Sequence, residues 1–358
     1  MKENNQNQNA GDNSTQIQAK NIENFYNGIN EQDVRMIVKD EINIALKENY
    51  IVSKDVARNR LNDFSEIFLP KIVKANLIDC FRDPAIQMFF RSVEKTAICT
   101  DRHNCYEILS EMLIHRVNRK EDYTTVAATN KAIEIVDKIS DEALLFLTIF
   151  LCVDSFIPTS GNIKIGLQVL DNLYQHLLGS KEIPYNSRII DNLEIVGAVR
   201  RESLLSYKTF DEIFSNELEG YACAGIDKNS ENYQKAKELL DKIKISENSI
   251  FSDSLIENHT RINVVNRDKL NNILVSTKQN FVNDILNKIY NLYDKLPENI
   301  NKAKNNFCNI VKDYPNILKV KNWWDNNIIN CGVCITPIGK VLAHTNAKCI
   351  DNNIPNLD

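Results

Sequence analysis

The chain has 358 residues, enough for one large or two medium domains, and its 43% hydrophobic content can bury a core. Its 10 glycines and 8 prolines are too few for the many tight turns of an all-β sandwich or barrel. A net charge of −5 excludes a global basic footprint for nucleic acid and leaves only local patches.

Residues 1–29 read as a polar extension. Met1 to Gln18 is dense in Asn and Gln, and such a segment buries too little apolar surface to offset its ordering entropy. Yet Gly11-Asp12-Asn13 has turn character, and Ser14-Thr15-Gln16-Ile17-Gln18-Ala19 has strand character. Two readings stay open: a flexible tail, or an intersubunit β-assembly in which stacked copies pair every backbone group. In the second reading Asn13, Ser14, Gln16, Ile17 and Gln18 carry the oligomerisation, and the partner is a second copy of the chain. The first 30 residues hold no apolar stretch of the secretory kind. With 9 cysteines at irregular spacing, the expectation is reduced thiols in the cytoplasm.

A helical body is expected over 30–315. Val34, Ile37, Val38, Ile42 and Ala45 recur at three- and four-residue spacing, which predicts a first helix. Ser53 predicts the cap of a second, with Val56, Leu61, Phe64, Ile67 and Phe68 along one face. Asp83-Pro84 is a start signal, a cap followed by proline at the first helical position. Asn104 with Glu107 resembles a capping box. Ser140 opens the most apolar stretch, Ala143 to Val153, which is too short to span a bilayer and reads as a core helix. A helix over Ile163 to Leu178 ends at Gly179, and Ser187 opens another through Val196. Gly220 to Ser230 reads as a loop or boundary. A long helix is expected from Arg267 to Leu296, stopped by Pro297, and one more from Ile300 to Val311. No fixed repeat emerges, which leaves an irregular multi-helix bundle of mainly α class.

Residues 316–350 break the pattern. Ile317, Val320, Trp323, Trp324 and Ile328 predict an aromatic-rich helix, Gly332 to Ile335 a strand, and Thr336-Pro337 the start of a last helix. Helix, strand and helix in this order suggest a winged-helix-like element, with 351–358 as a tail. Adjacent positions on a helix cannot share one face, so one of Trp323 and Trp324 is a candidate for a protein-partner surface.

Signatures of chemistry are sparse. No phosphate-loop, dinucleotide, nucleophile-elbow or His-Glu-x-x-His motif occurs. None of the 5 histidines has an arginine four to six residues upstream, the spacing by which helical ribonucleases aim both at one phosphate. Cys331, Cys334, His344 and Cys349 are zinc ligands by type, but Cys334 falls in the expected strand and His344 among packing residues. No metal or other cofactor is therefore expected. Arg200 and Arg201 follow an apolar helix and suit its final turn, where cations complement the dipole; with Lys319, Lys321 and Lys340 they are the weak candidates for nucleic-acid contact.

The segment Gly11 to Ile22, the start Asp83-Pro84-Ala85-Ile86-Gln87, Asn130-Lys131-Ala132-Ile133 and the closing Ile335-Thr336-Pro337-Ile338-Gly339-Lys340-Val341-Leu342-Ala343 together resemble a poorly characterised bacterial helical family of the LPO/Vpar type. The closing motif is also similar to one of abortive-infection proteins of the Abi-alpha type. The resemblance brings no activity with it. Similar polar N-terminal segments occur on bacterial anti-phage proteins, and with the strand character of Ser14 to Ala19 the expectation is a non-enzymatic oligomeric interaction protein of anti-phage defence or stress response. A nucleic-acid-directed toxin enzyme and a winged-helix-like regulator stand as alternatives.

Overall fold

The computed structural model describes residues 31–118, 123–272, 279–355 and 357. The oligomerisation candidates Asn13, Ser14, Gln16, Ile17 and Gln18 lie outside the described residues. The chain divides into two units, Met1–Val56 and Ala57–Asp358. The class is mainly α, with 14 α-helices and 5 short strands among the described residues.

Helix α1 covers Glu31–Lys74. Ser53 lies inside it and caps nothing, so the two expected helices are one. Residues 57–74 of this helix bury Phe64, Phe68 and Ile72 in the main core. After a 3-10 segment at Ile78–Arg82 comes α2, Pro84–Ile98, with the Asp83 carboxylate accepting the Ala85 N–H. In α3, His103–Asn118, Asn104 is not a cap: its amide donates to the Asn346 side chain at 3.4 Å. Glu107 pairs instead with Lys71 at 2.5 Å. Next come α4, Tyr123–Ile135, and α5, Asp141–Ser155, the latter capped by Ser140.

Every residue of α5 from Ala143 to Val153 is buried. Helix α6, Ile163–Leu178, starts on the Asn162 cap and ends at Gly179, whose φ of +53° suits glycine. Helix α7 is Ser187–Ile195, and Asn186 rather than Ser187 provides its cap. Strand β1, Val199–Arg201, leads to α8, Phe210–Glu217, which carries a full capping box of Thr209 and Glu212.

A smaller lobe follows, with its own apolar cluster around Ile226, Leu240, Ile250, Ile262, Leu286 and Ile289. It contains β2 (Ile226–Asp227), α9 (Glu231–Lys242), α10 (Glu247–Ile250), β3 (Phe251–Asp253) and β4 (His259–Ile262). The strands form an antiparallel sheet of order β2-β4-β3. The helix expected from Arg267 to Leu296 is not continuous: Arg267–Asn272 is a 3-10 segment, and α11 is Gln279–Tyr290. Beyond it the chain turns, and the Asp294 N–H donates to the Gly225 carbonyl at 2.7 Å.

Pro297, expected as a stop, begins a helix, as Pro315 does: they take the first positions of α12 (Pro297–Val311) and α13 (Pro315–Asn327). Strand β5, Val333–Ile335, pairs antiparallel with β1, with Arg200 opposite Cys334. Helix α14, Pro337–Ile350, is capped by Thr336 and buries Val341 through Ala347 against α5 and α4. The helix–strand–helix order of 316–350 is as expected. Its strand partner comes from β1, more than 130 residues upstream by the Val199–Ile335 pairing, and not from a local wing hairpin. The stretch is continuous with the main core through Trp324, Leu342 and Ala343.

Candidate functional site

The first half of α1 carries a long run of exposed apolar side chains. Met36, Val38, Ile42, Ile44, Leu46, Tyr50, Ile51, Val52 and Val56 are all exposed, Ile42 by 52% and Tyr50 by 68%. At 100° per residue, Val38, Ile42, Ala45, Asn49, Val52 and Val56 lie within roughly 40° of one line along the helix. Their spacing alternates four and three residues, the pattern of a coiled-coil seam. Ile42, Asn49 and Val56 take the a positions, and Val38, Ala45 and Val52 the d positions. Residues 38–56 span about 27 Å at 1.5 Å per residue. Ile44 and Ile51 lie on a second line, and Leu46 and Tyr50 on a third. A helix apolar on all sides is ordinarily a buried one. The sequence shows the three- and four-residue spacing of the seam's start. Its continuation through Asn49 is easily missed, because a polar residue at a seam position looks like an end to the pattern.

The structure scatters the metal candidates. Among the described residues no group of three or more His, Cys, Asp and Glu side chains is placed to hold a metal ion. Cys334 lies within β5 and Cys331 just before it, while His344 packs edge-on against Phe156 with centroids 5.9 Å apart. Cys349 lies near Lys71 and Glu111, and burial pushes its thiol up to about 12. Burial likewise raises the Cys331 thiol. All 9 cysteines are free.

Arg200 and Arg201 lie in β1, not at a helix end, so no helix dipole accounts for them. Carboxylates do. The Arg200 Nε donates to Glu202 at 2.7 Å, which raises its pKa. Arg201 pairs with Asp191, and with Glu194 at 3.3 Å. Lys319 reaches the Lys181 carbonyl at 2.8 Å and Glu182 at 3.2 Å. Lys321 lies between Asp211 at 2.9 Å and Asp325 at 2.8 Å, which outweigh burial and raise its pKa. Lys340 is exposed in the first turn of α14. The geometry does not gather these cations on one face free of acids.

Trp323 and Trp324 are both interior, at 6% and 0% exposure. The Trp324 indole packs on Phe150 and Tyr207, and its N–H donates to the Lys208 carbonyl at 3.0 Å. Trp323 meets Phe146 edge-on at 5.6 Å. Both neighbouring rings of α13 thus pack on α5, and Trp324 is enclosed further by the 207–208 segment. Trp324 is enclosed, whereas Trp323 forms part of the wall of a surface cleft with Glu182, Lys319 and Asn322.

A family model described only as ":-like" matches residues 28–356. No curated protein and no solved structure matches the chain. No helix among the described residues is long and apolar enough to cross a membrane.

Proposed function

We propose, for a chain that belongs to this poorly characterised family, that it is an oligomeric interaction protein without enzymatic chemistry of its own. Copies associate through the N-terminal region. The observation that carries this reading is the α1 seam of Val38, Ile42, Ala45, Asn49, Val52 and Val56, exposed along its length. The occupant it fits is the same seam of a second copy. Heptad spacing matches a helix to its own kind, and one polar a position is the device by which such seams set register and copy number. Joining helical bodies in this way gives avidity without high pairwise affinity. The strand character of Ser14 to Ala19 adds a second means of holding copies together. A role in bacterial anti-phage defence or stress response rests on the similarity of the polar N-terminal segment to those of bacterial anti-phage proteins.

Sedimentation velocity separates the parts. The full chain should run as an oligomer, and the pair Ile42→Asp with Val52→Asp should run as a monomer with an unchanged helical circular dichroism signal. A chain starting at Gly28 should still associate if the seam suffices. A full chain that stays monomeric at high concentration would sink the proposal.

A further inference from the structure

Arg261 of β4 is 1% exposed, and backbone carbonyls take its guanidinium hydrogen bonds. Its Nη1 donates to the Ile262 and Val264 carbonyls at 3.1 and 3.2 Å, and its Nη2 to the Gly161 carbonyl at 2.7 Å. The guanidinium lies 5.5 Å from the centre of the Tyr221 ring. Its buried Nε–H has no acceptor. Burial lowers its pKa, and the titratable groups around it are Cys223, Tyr293, Tyr221 and Tyr290, none of them anionic at neutral pH. A buried cation held by carbonyl dipoles and one aromatic ring is costly, and an anion nearby is what would relieve the cost.

The same residue stands at a helix start. Gly161, which takes the Nη2 bond, precedes Asn162, the cap of the 16-residue helix α6. A side chain at Gly161 would run into the Asn263 carbonyl oxygen at 1.9 Å, so the close approach needs glycine. The Asn162 side chain takes the Ile165 N–H at 3.1 Å, which leaves the amides of the first turn to solvent or to a ligand.

Both features line one open cleft of about 900 Å³. Lys164 and Gln168 come from α6, Ser252 and Ser254 from around β3, and Tyr314 from the start of α13. Ile163, Leu255 and Ile310 supply apolar wall. Two acids also line it. Asp253 is neutralised by Lys228 at 2.8 Å, whereas Asp313 opposes any anion.

We infer that this cleft binds a small phosphorylated organic molecule, its phosphate held by the α6 N-terminus and Lys164 with the charge of the buried Arg261 behind them, and its organic part lying on the apolar wall. The volume is that of a small-molecule site and exceeds what a bare phosphate needs. The inference concerns a different part of the chain from the α1 seam and stands whether or not the copies associate.

Isothermal titration of the full chain with inorganic phosphate and with AMP tests it. AMP should bind, and phosphate should bind more weakly and displace it. Because Arg261 is buried and its replacement could unfold the lobe, the diagnostic variants are at exposed positions. Lys164→Glu should weaken AMP roughly tenfold or more, the scale of one charge-assisted contact. Asp313→Asn should tighten it. Each variant's unliganded melting curve should match the parent's. No heat with either probe, AMP that phosphate fails to displace, or AMP affinity unchanged in Lys164→Glu would overturn the inference.

Discussion

Helix α5 and the first half of α1 both carry apolar residues around their whole circumference, and the chain treats them in opposite ways. In α5 the stretch from Ala143 to Val153 is buried without a break. In α1 the residues from Val38 to Val56 are exposed without a break. The difference lies in what separates the apolar positions. The α5 stretch has one polar side chain, Thr148, whose hydroxyl donates to the Leu144 carbonyl at 2.7 Å and accepts from the Asn346 amide at 2.9 Å. The α1 stretch interleaves Lys39, Asp40, Glu41, Lys47, Glu48, Lys54 and Asp55. A helix without charges must be wrapped by its own chain. A helix whose apolar rows are divided by charges tolerates water on most sides, and needs a partner only along the row that pairs. Apolar periodicity therefore tells which residues seek cover, and the charges between them tell how much of that cover must come from within the chain.

The strongest way to break the comparison is a matched pair of truncations. Phe150→Ala in α5 removes a fully buried ring that packs on Trp324 and Tyr207. It should cost about 3–5 kcal/mol in urea unfolding. Ile42→Ala in α1 should shift the same unfolding by no more than about 0.5 kcal/mol in dilute chain, while weakening self-association. Equal losses at the two sites would show that α1 is covered within its own chain. A smaller effect is expected at the polar link of the core. Asn346→Ala strips Thr148 and Asn104 of a partner, and should cost about 1–3 kcal/mol. Adding Thr148→Val should recover part of that loss, because two apolar groups in place of a bonded pair leave less unsatisfied. A double-mutant cycle in urea reads the coupling.

Local chemistry is what the sequence displays well. Asp83, Ser140, Gly179 and Thr336 mark helix ends because each bonds or turns within a few residues of itself. Ser53 carries the same local preference and caps nothing, since the helical pattern continues through it on a solvated face. Pairing between distant segments is what the sequence hides. The strands β1 to β4 have two to four residues each, too short for alternation to show, and Arg200 and Arg201 become strand residues only because β5 lies beside them. Tyr290 and Tyr293 end the expected 267–296 helix from outside its own pattern: their rings stack at 4.4 Å, and the Tyr293 hydroxyl accepts the Ile262 N–H at 2.7 Å. Arg261 is the most concealed. In Thr260-Arg261-Ile262 it reads as an ordinary strand cation, and its burial follows from Gly161, 100 residues away.

Asn49 gives the finest test of the comparison. In α5 a polar side chain in the apolar stretch is satisfied within the chain. In α1 the equivalent position is exposed, and an Asn–Asn contact across a seam is one way for its amide to find a partner that is not water. Asn49→Ile would add apolar surface to the seam and remove its only polar a position. The unfolding of dilute chain should stay unchanged to within about 0.5 kcal/mol, since the position is exposed on α1. The assembly should tighten, yet lose its single stoichiometry, because β-branched residues alone at a positions leave copy number and register less constrained. Sedimentation velocity across a concentration series reads both. A variant with the parent's affinity and the parent's single species would mean that Asn49 lies off the seam, and that another row, Ile44 and Ile51 or Leu46 and Tyr50, is the one the copies share.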